Sequence, residues 1–436
     1  MIGEREVLAI LCGGGPAPGM NSVISSATID AINSGWKVLG ILDGFKHLIK
    51  GSTDAVIELS IERVSRIQFD GGTILFTARA NPTVREEGAA DPEWRLQSCV
   101  KALKSLSVSA LLTIGGDDTA FSATRIAEKS GGAFRVVHVP KTIDNDLPLP
   151  GMIPTFGFET ARQWGSELVK NLLVDATASK RWFFVVAMGR SAGHLALGMG
   201  KAGSATLTII AEEFQGKEPI GLNHLCDIVE TTMLKRSVVG RPFGVVVLAE
   251  GLGLRLREEE LEAQGVKDVE RDEHGHIRLS ELPLDRVLAD VVRARFKMRK
   301  QSPTIVGKNI GYELRCAPPV AFDIDYTRDL GFGAVEYLKS LIASRSSEVG
   351  GMITLQGGKL VPLRFGSFND PITGRPKVRG VDVSSDSFRS ARGFMIRLEE
   401  ADLKDPARLA ALAKEAQMSE EAFTARYAYL VAGDGR

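Results

Sequence analysis

Short apolar runs recur along this chain, and amphipathic windows lie between several of them. The runs are Val7–Cys12, Lys37–Leu42, Ala110–Ile114, Arg135–Val139, Phe183–Ala187, Thr206–Ile210, Phe243–Ala249 and Gly351–Leu355. The windows include Pro92–Leu106, Phe121–Lys129, Thr160–Ala176 and Leu222–Lys235. That rhythm predicts βαβ units, mainly parallel sheets and an α/β class. At 436 residues the chain exceeds what one hydrophobic core usually supports, so two domains are expected. The charged stretch Arg255–Glu281 breaks the rhythm and reads as a solvated insertion. The tail from Ser384 onward reads helical and polar, with Leu403–Met418 as an ordinary surface helix.

Two of the apolar runs lead into unusual chemistry. TIGGDDT follows the run that ends at Ile114, and PKTIDND follows the run that ends at Val139. Four carboxylates (Asp117, Asp118, Asp144, Asp146) and Lys141 thereby fall just past strand ends, where open parallel sheets bind ligands. Crowded carboxylates are costly unless a metal or a reacting group uses them, so the pattern reads as an active site. A glycine-rich turn, Gly13-Gly14-Gly15-Pro16-Ala17-Pro18-Gly19, follows the first run and precedes a helix-like stretch. Glycines let backbone N–H groups approach an anion, and the helix offers its positive end. The turn is neither a dinucleotide fingerprint, since Pro18 replaces the third glycine, nor a Walker A loop.

Bulk properties exclude several classes. Lys plus Arg and Asp plus Glu are both 54, so nothing suggests nucleic acid or an anionic membrane as partner. Cys12, Cys99, Cys226 and Cys316 are scattered without a CxxC pair and read as reduced thiols of a cytosolic protein. The start carries acidic residues where a signal peptide would be basic, and no run approaches a membrane span. A soluble cytoplasmic protein is expected.

With these motifs laid out, the chain resembles the phosphofructokinases over nearly its whole length, and within them the pyrophosphate-dependent branch. The first turn looks like the family's GGxxPGxN, and GGDDT and PKTIDND are similar to its two central motifs. Met188-Gly189-Arg190 looks like its MGR motif, Glu250-Gly251 like its EG motif, and Gly311–Arg315 (GYELR) like GYExR. The resemblance implies phosphoryl transfer to the 1-hydroxyl of fructose 6-phosphate. It puts Asp144 at the catalytic base, Asp117 and Asp146 at Mg²⁺, and Thr142 and Ile143 along the sugar. Arg190, Glu250, Tyr312, Glu313, Leu314 and Arg315, with Met188 and Gly189, are implied for the sugar phosphate. Arg181 falls where the family supplies an arginine from a neighbouring subunit, which implies a homodimer or homotetramer. Gly15, Arg79, Asp118 and Lys141 are implied for the donor, and His138 and His194 read as packing or surface residues.

The donor turns on one position. ATP users of the family carry glycine where Asp118 stands here, so a carboxylate would repel and crowd a nucleotide. Lys141 would pair with the terminal phosphate of pyrophosphate and offset charge in the transition state. An ATP-dependent 6-phosphofructokinase and a non-catalytic regulatory subunit are the alternatives. A larger ketose phosphate such as sedoheptulose 7-phosphate is an additional candidate substrate. The expected fold is two mainly parallel three-layer α/β sandwich domains with the active site in the cleft between them. Residues 1–155 with about 316–365 are expected to hold the donor, and 156–315 with about 366–436 the sugar phosphate.

Overall fold

The computed structural model describes residues 5–432 apart from 87, 89, 215, 217, 267–278, 345–346 and 368–376. The chain divides into two compact units. The first comprises residues 1–161 and 313–379, the second 162–312 and 380–436.

Among the described residues the strands are β1 (Val7–Cys12), β2 (Lys37–Ile41), β3 (Val56–Glu58), β4 (Ala110–Gly115), β5 (Arg135–Thr142), β6 (Phe156–Gly157), β7 (Trp182–Ala187), β8 (Leu207–Ile209), β9 (Gly244–Ala249), β10 (Ile305–Ile310), β11 (Gly350–Gln356) and β12 (Lys359–Arg364). In the first unit the sheet order is β12-β11-β5-β4-β1-β2-β3, with β6 paired to the end of β5. The central pairs are parallel, and antiparallel β3 and β12 close the edges.

The alternation within β1 shows why layers form on both faces. Leu8, Ile10 and Cys12 enter one core with the helices Met20–Asn33 and Ala321–Ala343. Val7, Ala9 and Leu11 enter another with the helices Trp94–Ser105 and Asp117–Ser130. A strand apolar on both faces has to be covered on both, which is the demand that parallel crossovers satisfy.

The second unit is built on the four-stranded parallel sheet β10-β7-β9-β8. Trp182, Phe184 and Val186 face a core shared with the helices Leu222–Val238 and Leu284–Met298. The helix His194–Ala202 packs on β7, β8 and β9.

Several expectations change. β10 carries Lys308 and Asn309 exposed at the sheet edge, so its apolar signal was too weak to mark it in the sequence. The expected surface helix 403–418 is two helices, Glu400–Lys404 and Pro406–Glu415, broken at Asp405-Pro406. Its Leu412, Ala413 and Ala416 are not surface residues: they join Phe423 and Tyr427 in the core of the second unit. The stretch 255–281 is not all solvated either, since Leu256 and Leu261 are buried, while its residues 267–278 lie outside the described residues. No helix among the described residues is long and apolar enough to cross a membrane.

Candidate active site

In the first unit, β5, β4 and β1 are neighbours, so the segments that follow them meet at one sheet edge. After β1, the Gly13 N–H donates to the Ile114 carbonyl (2.9 Å) and the Gly14 N–H to the Ala78 carbonyl (3.0 Å). The Thr77 hydroxyl donates to the Gly14 carbonyl (2.6 Å), which sets the exposed Arg79 beside this turn. A methyl group on Gly15 would lie 1.3 Å from Nη2 of Arg315, so only glycine admits that guanidinium here. A methyl group on Gly13 or Gly115 would lie within 2.4 Å of the Thr119 hydroxyl, so Thr119 fills the space between the ends of β1 and β4.

Asp117 and Asp118 open the helix Asp117–Ser130, with Gly116 at its N-cap. Carboxylates in a first helical turn are favoured by the backbone dipoles, which is a structural reason for acids here beside any chemical one. Asp117 is half-buried and Asp118 exposed.

β5 runs further than its apolar run suggested and carries Lys141 and Thr142 as its last residues, paired with Phe156 and Gly157 of β6. Residues 141–147 are all buried. Burial pushes the Lys141 ammonium down to about 8, against the opposing pull of Asp144, Asp146 and Asp117; Arg315 pushes it further down. One buried cation thus feels three carboxylates and a guanidinium drawn from three separate stretches of chain. The Asp144 N–H donates to the Thr142 hydroxyl (3.0 Å), and Ile143 is buried between them. His138 is buried in the same strand, with Nδ1 2.9 Å from the Thr113 hydroxyl. Burial takes its ring down to about 3, so it packs as a neutral side chain.

In the second unit, β7 and β9 are neighbours and deliver Met188–Arg190 and Glu250 at their carboxyl ends. The buried Glu250 Oε1 accepts from the Gly189 N–H (3.0 Å) and the Arg190 N–H (2.6 Å). Those two bonds hold the turn in which exposed Arg190 takes a left-handed backbone, φ 54°. Arg181 precedes β7, at the opposite end of the strand, with Nε 3.7 Å from Asp175 Oδ1. A strand of this length separates its two ends by roughly 20 Å, so Arg181 and Arg190 of one chain lie apart. Tyr312 is 56% exposed. In the short helix Tyr312–Arg315, Glu313 is exposed, Leu314 is buried and Arg315 is half-buried.

Two side chains at the site had escaped the sequence reading. Thr119 closes the GGDDT motif, and its packing against Gly13 and Gly115 gives it a role that the motif alone does not announce. Arg379 lies far downstream in an unremarkable stretch, yet it is buried against Asn145 of the TIDND segment. Among the described residues no group of three or more His, Cys, Asp or Glu side chains is arranged to hold a metal by itself.

A family model described as phosphofructokinase matches residues 7–338. The pyrophosphate–fructose 6-phosphate 1-phosphotransferase of Thermotoga maritima is 53% identical over 422 residues, covering 97% of this chain and 98% of that protein. The protein of the same name from Naegleria fowleri is 48% identical over 430 residues, 97% of this chain and 95% of its own. A solved pyrophosphate-dependent phosphofructokinase from Nitrosospira multiformis matches with a TM-score of 0.65 at 15% identity. It covers 94% of this chain and 92% of that one, a likeness of fold.

Proposed function

This chain belongs to the phosphofructokinase family, and we infer that it transfers a phosphoryl group reversibly from pyrophosphate to the 1-hydroxyl of fructose 6-phosphate. The likeness to two pyrophosphate-dependent enzymes over 97% of the chain supports the donor. The observation that carries the chemistry is the convergence of Asp117, Asp144 and Asp146 on buried Lys141.

Asp144 takes the proton of the 1-hydroxyl as the oxygen attacks. A well-placed carboxylate is worth roughly 10²–10⁴ in rate. Lys141 and Arg315 face the donor phosphates, with the Gly13–Gly15 turn beside them. Their charge offsets the charge that spreads over the transferring group. Asp117 and Asp146 would hold Mg²⁺. Hard carboxylate oxygens, one or two in number, suit Mg²⁺, which usually keeps several of its waters. Bound there, it would supply positive charge that offsets part of the charge on the phosphates.

Asp118, exposed on the first turn of the same helix, disfavours a longer nucleotide by charge and bulk. Arg190, held in its turn by Glu250, takes the sugar phosphate with Tyr312, while Arg315, which the resemblance implied for the sugar phosphate, serves the donor from its place beside Gly15 and Lys141. Arg181, at the far end of β7, serves the site of a neighbouring copy, so the working form is a homo-oligomer. All four cysteines are free, which favours the reducing cytoplasm.

Asp144→Asn tests the assignment, since the amide keeps the volume but cannot accept the proton. Turnover should fall roughly 10²–10⁴-fold with little change in KM for fructose 6-phosphate. A variant that keeps most of its turnover removes Asp144 from the role.

A further inference from the structure

The residue between the two carboxylates of the TIDND segment is held in an unusual shape. Asn145 has φ 56°, in the left-handed region that non-glycine residues seldom occupy. Asparagine tolerates that region better than most, but it still needs outside support to stay there. The reversal at Asn145 sets the path of the backbone from Asp144 to Asp146, so whatever fixes it also fixes where both carboxylates stand.

The support comes from Arg379. Its Nε donates to the Asn145 carbonyl (3.1 Å), Nη2 donates to Asn145 Oδ1, and Nη1 donates to the Ile153 carbonyl (3.1 Å). Its own backbone N–H donates to the Asp146 carbonyl (2.6 Å). The Thr155 N–H adds a second bond to Asn145 Oδ1 (3.0 Å), and the Thr155 hydroxyl donates to the Thr142 carbonyl (2.8 Å). Arg379 is only 9% exposed. Burial disfavours its charged form, and Asp146 is the charge that most opposes this. A flexible, strongly hydrated side chain has been taken out of water with each of its three nitrogens on the backbone or amide of this one loop region. A rigid planar fork can grip both the main-chain and side-chain oxygens of Asn145; a lysine cannot.

We propose that Arg379 is a positioning residue, a latch that holds Asn145 in its left-handed turn and thereby aims Asp144 and Asp146. The inference rests on the reading of Asp144 as the base. With its nitrogens engaged on the loop, Arg379 acts through Asn145. Displacing a catalytic group by about an ångström costs on the order of 10²-fold, so loss of the latch is expressed in turnover.

The test compares Arg379→Met, Asn145→Ala, their double variant and Asp144→Asn in the full-length protein, with fructose 6-phosphate and pyrophosphate as substrates. Arg379→Met should lower kcat by about 10- to 100-fold and leave both KM values within about threefold. Asn145→Ala should do the same. Because one acts through the other, the double variant should be no worse than the poorer single one by more than about twofold. Guanidinium chloride at non-denaturing concentration should restore part of the activity of Arg379→Ala and none to Asp144→Asn. A purely structural role would lower the unfolding temperature without that rescue.

Independent, multiplying losses in the double variant overturn the latch, as does an Arg379→Met enzyme within twofold of wild-type kcat beside an inert Asp144→Asn. An active Asp144→Asn refutes the base and leaves the latch to be judged on the rescue and the double variant alone. Should Arg379→Met fail to accumulate as folded protein, Arg379→Lys takes its place. It keeps the charge without the fork and should show the same turnover loss.

Discussion

Lys141 makes its prediction through pH. An ordinary lysine side chain titrates near 10.5, and burial brings this one down to about 8. At about 1.4 kcal/mol per pH unit, charging Lys141 costs on the order of 3 to 4 kcal/mol more in the folded protein than in the unfolded chain. The fold accepts that cost where a cation faces the donor. At pH 7 roughly nine in ten molecules carry the charge, and at pH 9 roughly one in ten. If the ammonium form is the working one, kcat/KM for pyrophosphate should be flat below about pH 7.5. Above about pH 8 it should fall close to tenfold per unit.

Stability should move the other way. Between about 8 and 10.5 the unfolded chain binds the proton that the folded chain has lost, so this group makes the fold more stable as pH rises through that window. The assay is initial rate at matched pyrophosphate and Mg²⁺ from pH 6 to 10, beside denaturant unfolding at the same pH values. Substrate ionisation is common to every variant, so the comparison with Lys141→Arg isolates the residue. The arginine stays charged throughout, so the alkaline limb should vanish or move upward. Lys141→Met should lack the gain in stability. An identical alkaline limb in wild type and Lys141→Arg refutes the reasoning.

Three further outcomes follow from the geometry. Gly15→Ala should raise KM for pyrophosphate by about tenfold or more with the fold intact, because a methyl group there displaces the Arg315 guanidinium; unchanged donor kinetics would remove Arg315 from the donor side. Asp118→Gly should admit slow turnover with ATP, measured by coupled assay, and an unchanged donor preference would assign the exclusion elsewhere. Arg181→Ala and Asp144→Asn, each nearly inactive alone at low sugar phosphate, should regain activity once their subunits exchange. No recovery after confirmed exchange counts against a shared site.

What was legible in the sequence followed from how strongly each segment signals its burial. β1, β4, β7 and β9 are predominantly apolar, buried from end to end, and each was bounded to within a residue or so. β10 was invisible because an edge strand leaves Lys308 and Asn309 in water. The tail misled for the opposite reason: Leu412 and Phe423 sit among charged neighbours, and only the tertiary fold shows that they are core. At the site, the motifs after β1, β4 and β5 carried their own glycines and carboxylates, so their meeting at one sheet edge was readable. Arg379 was not. A single arginine more than two hundred residues from its partner has no local periodicity or spacing to announce it, and only the hydrogen bonds to Asn145 reveal what it does.

The account stands most directly on the donor. Purified wild-type protein with fructose 6-phosphate and Mg²⁺ is given pyrophosphate or ATP at equal concentrations, and fructose 1,6-bisphosphate is measured by a coupled assay. The prediction is rapid formation with pyrophosphate and little or none with ATP. Fructose 1,6-bisphosphate with phosphate should return pyrophosphate at a comparable rate. Strong activity with ATP and none with pyrophosphate would contradict it.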